Sequence, residues 1–84
     1  MRRLTYIDHT LEQMARRAIA PAWVERTVLS PEMTEPDPNH PDRVRAFRSI
    51  PERDGRVPRV VYVPEGGDYR VLTTFLDRSR SRKR

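Results

Sequence analysis

The chain has 84 residues, a formal net charge of +5 and no cysteine. This length corresponds to one small domain, and the lack of cysteine excludes disulfides and thiolate metal ligands. No run of residues approaches the length of a membrane span, and the N-terminus lacks the apolar segment of a signal peptide. We therefore expect a cytoplasmic protein without membrane contact.

The net positive charge of the chain comes entirely from its C-terminal end. Residues 78–84 (RSRSRKR) carry five basic groups and no acid, whereas residues 1–77 hold twelve basic and twelve acidic residues. This contrast predicts one folded domain over 1–77 and a disordered basic tail over 78–84. Such a tail attracts RNA, DNA or an acidic protein by counterion release, or it is only a frayed, solubilising end.

The N-terminal segment predicts a strand followed by a helix. Residues 4–7 (LTYI) are β-prone, and Asp8 suits the N-terminal end of a helix over about 9–17. The apolar side of this helix is expected to pack on the core, and it holds Leu11, Met14, Ala15 and Ala18. His9, Gln13 and Arg17 are spaced i, i+4 and i+8, so they form a polar ridge on another side. This ridge is the strongest chemical signal in the chain, and an ordinary solvated face is the alternative.

A second helix begins at Pro21, which fits the first helical position, and is stopped by Ser30-Pro31. Its apolar side is expected to face the core, and it holds Ala20, Trp23, Val24, Thr27 and Val28.

A proline-rich acidic loop follows over residues 32–42, with a short edge strand around Met33-Thr34. His40 lies near two aspartates of this loop, but the spacing of three metal ligands is missing. We therefore expect no metal site and no cofactor.

Three strands are expected in the C-terminal half. They cover residues 43–50, 57–64 and 69–76, separated by the turn 51–56 (PERDGR) and the hairpin 65–68 (EGGD). The run VVYV in the middle strand is apolar at every position, which is typical of a central strand covered on both faces. The order of elements predicts an α+β domain in which two N-terminal helices pack on one face of an antiparallel sheet of three or four strands.

Strand pairing predicts which residues share a face of the sheet. If Pro64 lies opposite Tyr69 and no bulge intervenes, Arg59 lies opposite Thr74. The uncharged face then receives the helices and holds Val60, Tyr62, Val71, Thr73 and Phe75. The other face is the candidate ligand surface and holds Arg59, Val61, Val63, Arg70, Leu72 and Thr74. A bulge or an odd-length loop would exchange these assignments.

Several of these residues resemble a known family. The helix residues His9, Met14, Arg17 and Ile19 and the strand segments 59–62 (RVVY) and 71–75 (VLTTF) are similar to the family called domain of unknown function 4258. That family is grouped with the RelE/ParE-like toxins, near the BrnT ribonuclease toxins, and the resemblance covers about residues 4–76. It implies a RelE-like order of elements, β-α-α-β-β-β.

The helix departs from the family pattern at three positions. The pattern reads His-Ala-x-x-Arg-Met-x-x-Arg-Gly-Ile, and this chain has Thr10, Gln13 and Ala18 in place of the alanine, the first arginine and the glycine. Gln13 removes a positive charge from the middle of the ridge, which weakens phosphate binding there.

The resemblance implies a metal-independent endoribonuclease of a toxin–antitoxin system, with RNA and a cognate antitoxin as partners. Such cleavage needs a group that takes the 2′-hydroxyl proton and cations that stabilise the charged phosphorane. We assign catalysis to His9, Arg17 and Arg59, and RNA phosphate binding to Arg45, Thr73 and Thr74. The family pattern favours Thr73, whereas strand pairing favours Thr74.

A different class of function is a non-catalytic domain that binds protein or nucleic acid with the same fold. Gln13, the balanced charge of residues 1–77 and the lack of a second acid–base group favour this alternative, because Tyr62 is expected in the core. An enzyme acting on a small molecule is disfavoured, since the sequence has no phosphate loop, metal motif or nucleophile elbow.

Overall fold

Two α-helices and five strands are formed by residues 3–80, the part of the chain that the computed structural model describes. In chain order they are β1 (Leu4–Tyr6), α1 (Asp8–Arg17), α2 (Pro21–Leu29), β2 (Met33–Pro36), β3 (Val44–Phe47), β4 (Pro58–Glu65) and β5 (Asp68–Leu76). A 3₁₀ turn at Pro51–Arg53 precedes β4, and another at Arg78–Arg80 follows β5. Residues 81–84 of the predicted tail lie outside the described residues.

The predicted α+β class is confirmed, but the predicted sheet is too small. The sheet has five strands in the order β1-β5-β4-β3-β2. It is mixed rather than antiparallel, because β1 pairs in parallel with β5. These two strands come from opposite ends of the chain, so no turn between them signals their pairing. The edge strand predicted around Met33-Thr34 forms and pairs with β3.

Both helices cover one face of the sheet, as predicted. The buried core consists of Met14, Ile19, Val24, Val28, Ala46, Val60, Tyr62 and Val71. Trp23 is half-buried and packs against this core rather than lying inside it. Neither α1 nor α2 is long and apolar enough to cross a membrane.

Helix α1 packs with a different side from the one predicted. Met14 is buried, but Leu11 is 48% exposed and Ala15 and Ala18 also face solvent. The buried side of α1 instead carries Thr10, Gln13 and Met14. The reason is that β1 pairs with residues 69–71 only, so the rest of that edge of β5 is covered by polar side chains of α1.

A β-bulge interrupts the pairing of β4 with β5. The register runs from the hairpin as far as Tyr62 opposite Val71, as predicted, but Val61 then lies opposite Thr73. Leu72 is the extra residue on β5. Every pair beyond it is therefore shifted by one residue.

The bulge corrects the predicted faces of β5. Arg59 lies opposite Phe75 rather than Thr74. Thr74 lies opposite Val60 and is fully buried. It therefore lies on the helix-covered face, where Thr73 and Phe75 were predicted. Phe75 lies on the opposite face with Arg59.

The C-terminal end of α1 provides a test of backbone strain. Ala18 has a φ of 55°, in the left-handed region, where a Cβ is disfavoured by about 1 kcal/mol. Ala18→Gly is expected to raise the free energy of unfolding by about 0.5–1 kcal/mol, measured by urea denaturation. Ala15→Gly, at an exposed position inside the helix, should lower it by about 0.5–1 kcal/mol. A loss of stability in both variants would contradict the assigned helix end.

Candidate functional site

One end of the sheet collects segments that are distant in the sequence. Pro58 of β4 pairs with Leu76 of β5, and the N–H of Asp77 donates to the carbonyl of Val57 at 2.7 Å. The connection that precedes β4 and the turn Arg78–Arg80 that follows β5 therefore lie side by side.

The C-terminal end of α1 reaches the same place. Thr10, Gln13 and Arg17 are spaced i, i+3 and i+7, so they form a stripe along the uncovered edge of β5. The Thr10 hydroxyl donates to the carbonyl of Leu72 at 2.6 Å, and Nη1 of Arg17 donates to the carbonyl of Thr74 at 3.1 Å. This stripe takes the place of a neighbouring strand and holds Arg17 near the end of β5.

Gln13 has a structural role in this stripe. Its Oε1 accepts hydrogen bonds from the Thr73 hydroxyl at 2.9 Å and from the backbone N–H of Thr74 at 3.4 Å. An arginine, which the family pattern has at this position, offers only donors. The glutamine therefore satisfies groups of β5 that an arginine cannot.

Gln13→Arg is expected to lower the free energy of unfolding by about 2–3 kcal/mol, because it leaves the N–H of Thr74 without its acceptor and buries a charge. Urea denaturation measures the difference. Ala15→Arg adds the same charge at an exposed position of the same helix and should change stability by less than about 0.5 kcal/mol. Equal effects of the two variants would show that charge rather than the lost acceptor is responsible.

A concavity of about 390 Å³ opens at this end of the sheet. Its described lining consists of Arg17, Arg53, Arg56, Phe75, Leu76 and Arg78. We call it the arginine pocket. Four of the six side chains are cationic and none of the six is acidic, so the pocket has a positive electrostatic potential.

The pocket arginines are not neutralised by internal ion pairs. Arg53 lies with its guanidinium carbon 6.0 Å from the centroid of the Trp23 ring, and Arg17 holds the backbone of β5. Within residues 3–80, no ion pair joins the side chains of these two residues, Arg56 or Arg78 to a carboxylate. Their charges therefore remain available to a bound anion.

The flanking segments contain three acids: Asp54 is not part of the described lining, and Glu52 and Asp77 are bound elsewhere. Glu52 accepts two hydrogen bonds from Arg26, at 3.1 and 3.0 Å, and these bonds hold its pKa below the ordinary value. Burial raises the pKa of Asp77, but hydrogen bonds from Ser79 and Arg59 outweigh this effect and place the pKa below the ordinary value. Both carboxylates therefore stay ionised, and their hydrogen-bond partners lie outside the described pocket lining.

This arrangement is chemically suited to phosphate. A guanidinium presents paired N–H donors that match two oxygens of a phosphate, and it stays charged at any physiological pH. Four such groups around one concavity match the charge of a dianion or of two adjacent phosphodiesters better than that of a single carboxylate. The described lining residues are thus chemically suited to bind an anion.

Two of the predicted site arginines lie outside this pocket, on the sheet face away from the helices. Arg59 donates to Asp77 at 2.9 Å and lies between two rings, with its guanidinium carbon 5.6 Å from the Phe47 centroid and 4.9 Å from that of Phe75. Arg45 donates to Glu35 at 3.1 Å. Both guanidinium groups are engaged by internal carboxylates, and of the predicted cations only Arg17 lines the pocket.

The other predicted site residues are also not brought to the pocket. Thr74 is fully buried, and the Thr73 hydroxyl is bound to Gln13. His9 is exposed near the start of α1, about 12 Å from Arg17 along the helix axis. No hydrogen bond or ion pair joins its imidazole to another side chain in the range 3–80.

Sequence reasoning missed three of the four pocket arginines. Arg53 and Arg56 belong to the segment PERDGR, which was interpreted only as a turn, and Arg78 was assigned to the tail. The signal that could have found them is the hairpin register. Extending it backwards from Pro64 brings the residues before β4 next to those after β5.

Around His40, the expected lack of a metal site is not contradicted. Its ring nitrogen lies 3.9 Å from a carboxylate oxygen of Asp37. Among residues 3–80, no group of three or more His, Cys, Asp or Glu side chains is placed to hold a metal ion.

Fold and site together define a small α+β domain with an arginine-lined concavity at the end of a mixed sheet. Residues 6–76 match the family described as "Domain of unknown function (DUF4258)", and the chain belongs to this family. The resemblance drawn from His9, Met14, Arg17 and Ile19 is thereby confirmed at the level of the domain family. No curated protein and no solved structure matches the chain.

Proposed function

We propose that this protein binds RNA and that the arginine pocket holds phosphate groups of the strand. The observation that carries the proposal is the convergence of Arg17, Arg53, Arg56 and Arg78 on one concavity without an acidic residue in its described lining. RNA is the polyanion that the likeness to RelE/ParE-like toxins implies. The sequence after the described residues is also basic, with Arg82, Lys83 and Arg84.

The salt dependence of binding tests this proposal. Fluorescence anisotropy with a short single-stranded RNA, at several salt concentrations, gives the slope of log K against log salt. Four arginine–phosphate contacts predict a slope of about −3, since each contact to a single strand contributes about −0.7.

A variant that removes only tail charge separates the two basic regions. The full chain with Arg82, Lys83 and Arg84 replaced by alanine keeps the pocket, so we expect it to retain most of the slope. Complete loss of binding in this variant would assign RNA binding to the tail and would refute the pocket proposal. Equal binding of a matched single-stranded DNA would widen the ligand class to single strands in general.

A metal-independent endoribonuclease of a toxin–antitoxin system is a second candidate function. The observation that favours it is the exposed imidazole of His9, which has no hydrogen bond or ion pair with a side chain of residues 3–80 and lies on the same helix as Arg17. Histidine is the side chain best suited to move a proton near neutral pH. The chain order β-α-α-β-β-β-β adds one strand to the RelE-like order. In this proposal the protein is cytoplasmic and a cognate antitoxin is its protein partner.

The antitoxin partner is tested in cells. Growth arrest on induction that the product of the adjacent reading frame relieves would support the toxin assignment. Normal growth at confirmed high expression would leave RNA binding without toxicity.

A further inference from the structure

The arginine pocket has an apolar side as well as a cationic one. Phe75 and Leu76, the last two residues of β5, line it together with the four arginines. A bare phosphate would use only the cationic side of this pocket. We propose that the pocket takes one nucleotide of a single-stranded RNA, with its base stacked on Phe75 and the flanking phosphates bound by the arginines. This inference rests on the proposed RNA binding.

The ring of Phe75 is held in place before any ligand binds. The guanidinium carbon of Arg59 lies 4.9 Å from its centroid and 5.6 Å from that of Phe47, so Arg59 packs between the two rings. Asp77 fixes Arg59 through hydrogen bonds of 2.9 and 3.3 Å. Stacking a base on an ordered ring costs less conformational entropy than stacking it on a mobile side chain, which must first be ordered.

Asp77 also connects the ring to the cationic side of the pocket. Its Oδ1 accepts hydrogen bonds from the N–H and the hydroxyl of Ser79, at 3.0 and 2.6 Å. These bonds fix the turn that begins with Arg78, directly after the strand that carries Phe75. The stacking ring and one of the phosphate-binding arginines are thus held by the same carboxylate.

The size of the pocket favours a single strand over a duplex. Its volume of about 390 Å³ falls at the small end of the range for small-molecule sites, about 300–1,000 Å³, which suits one nucleotide. Bases in a duplex are stacked and paired, so none of them is free to lie on Phe75. The four arginines also converge on one concavity instead of following a long row of phosphates.

Two RNAs and three variants test the inference. The RNAs are a short single strand and the same strand with one abasic nucleotide in the middle. Phe75→Leu should weaken binding of the intact strand about tenfold, because it removes the aromatic ring on which the base stacks. Phe75→Trp should retain the affinity. Phe47→Leu removes the other ring that packs against Arg59. Because Phe47 does not belong to the described pocket lining, this variant should weaken RNA binding less than Phe75→Leu.

The abasic strand gives the decisive comparison. Wild type should bind the abasic strand about tenfold more weakly than the intact strand. Wild type and Phe75→Leu should bind the abasic strand with equal affinity. A 2-aminopurine at the tested position should lose fluorescence on binding wild type but not Phe75→Leu. Equal affinity of wild type for the intact and abasic strands would overturn the inference, whether or not Phe75→Leu folds. RNA binding without this difference leaves the proposed function standing, whereas absence of salt-dependent RNA binding refutes both.

Discussion

Replacing Arg56 and Arg78 together by alanine is expected to weaken RNA binding about a hundredfold, since each charged hydrogen bond to phosphate contributes about 1.5 kcal/mol or more. Both side chains line the arginine pocket, and neither has a hydrogen bond or ion pair with another side chain in the range 3–80. Their removal therefore takes away ligand contacts without removing internal ones. Anisotropy should also show a slope of log K against log salt that is smaller by about 1.4.

A matched control removes the same charge elsewhere. Arg43 and Arg70 line a second concavity of about 370 Å³, which also contains Asp42 and Glu65. Because acids balance its arginines, this concavity should bind phosphate poorly. Arg43→Ala with Arg70→Ala should therefore change RNA affinity by only a few-fold. Equal losses in the two double variants would attribute binding to overall charge and not to the pocket.

His9→Ala is expected to reduce RNA cleavage by about 10²–10⁴-fold if the protein is a ribonuclease, because this is the usual contribution of a general acid or base. The imidazole is exposed on α1 and lies about 12 Å along the helix from Arg17. At this distance it can act on the strand next to a bound phosphate without touching the pocket. RNA affinity should stay within a few-fold of wild type, which separates catalysis from binding.

Cleavage is measured on labelled RNA in the presence of EDTA, which removes any requirement for a divalent metal. His40→Ala is the matched control, because His40 is the other histidine of the chain and is also exposed. It should cleave like wild type. RNA that stays intact with wild-type protein, or a His9→Ala variant that cleaves at the wild-type rate, would exclude His9 catalysis and leave the non-catalytic RNA-binding function.

Elements with strong local signals were predictable from the sequence. Pro21 at the first helical position and the stop at Ser30-Pro31 predict the bounds of α2, which are Pro21–Leu29. The EGGD hairpin predicts the register of β4 with β5 correctly as far as Tyr62 opposite Val71. In each case the determining residues are neighbours in the chain, so the signal needs no knowledge of the remaining fold.

The bulge at Leu72 was not predictable in this way. The segment 71–75 (VLTTF) consists of residues that all suit a strand, and no glycine or proline marks the extra residue. Because of the bulge, Thr74 lies on the helix-covered face and Phe75 lies on the other face, the reverse of the prediction. The candidate nucleotide site depends on this exchange.

The packing of α1 shows a second limit of the sequence pattern. The apolar side with Leu11 was expected in the core, yet the buried side carries Thr10 and Gln13. Periodicity identifies an apolar stripe but does not show that a neighbouring strand has free backbone groups. Because β1 leaves part of the edge of β5 unpaired, polar side chains of α1 are buried there.

The sequence by itself determined the α+β class, the two helices, the central strand VVYV and the excess of basic residues at the C-terminus. Only the tertiary structure decided which arginines are free to bind a ligand. Arg59 pairs with Asp77 and Arg45 with Glu35, whereas Arg17, Arg53, Arg56 and Arg78 converge from three segments of the chain. The physical reason is that the groups near a guanidinium in space decide its state. A nearby carboxylate neutralises it, and without one it remains available to a ligand. Those groups are set by strand order, by the bulge and by the contacts of α1 with β5.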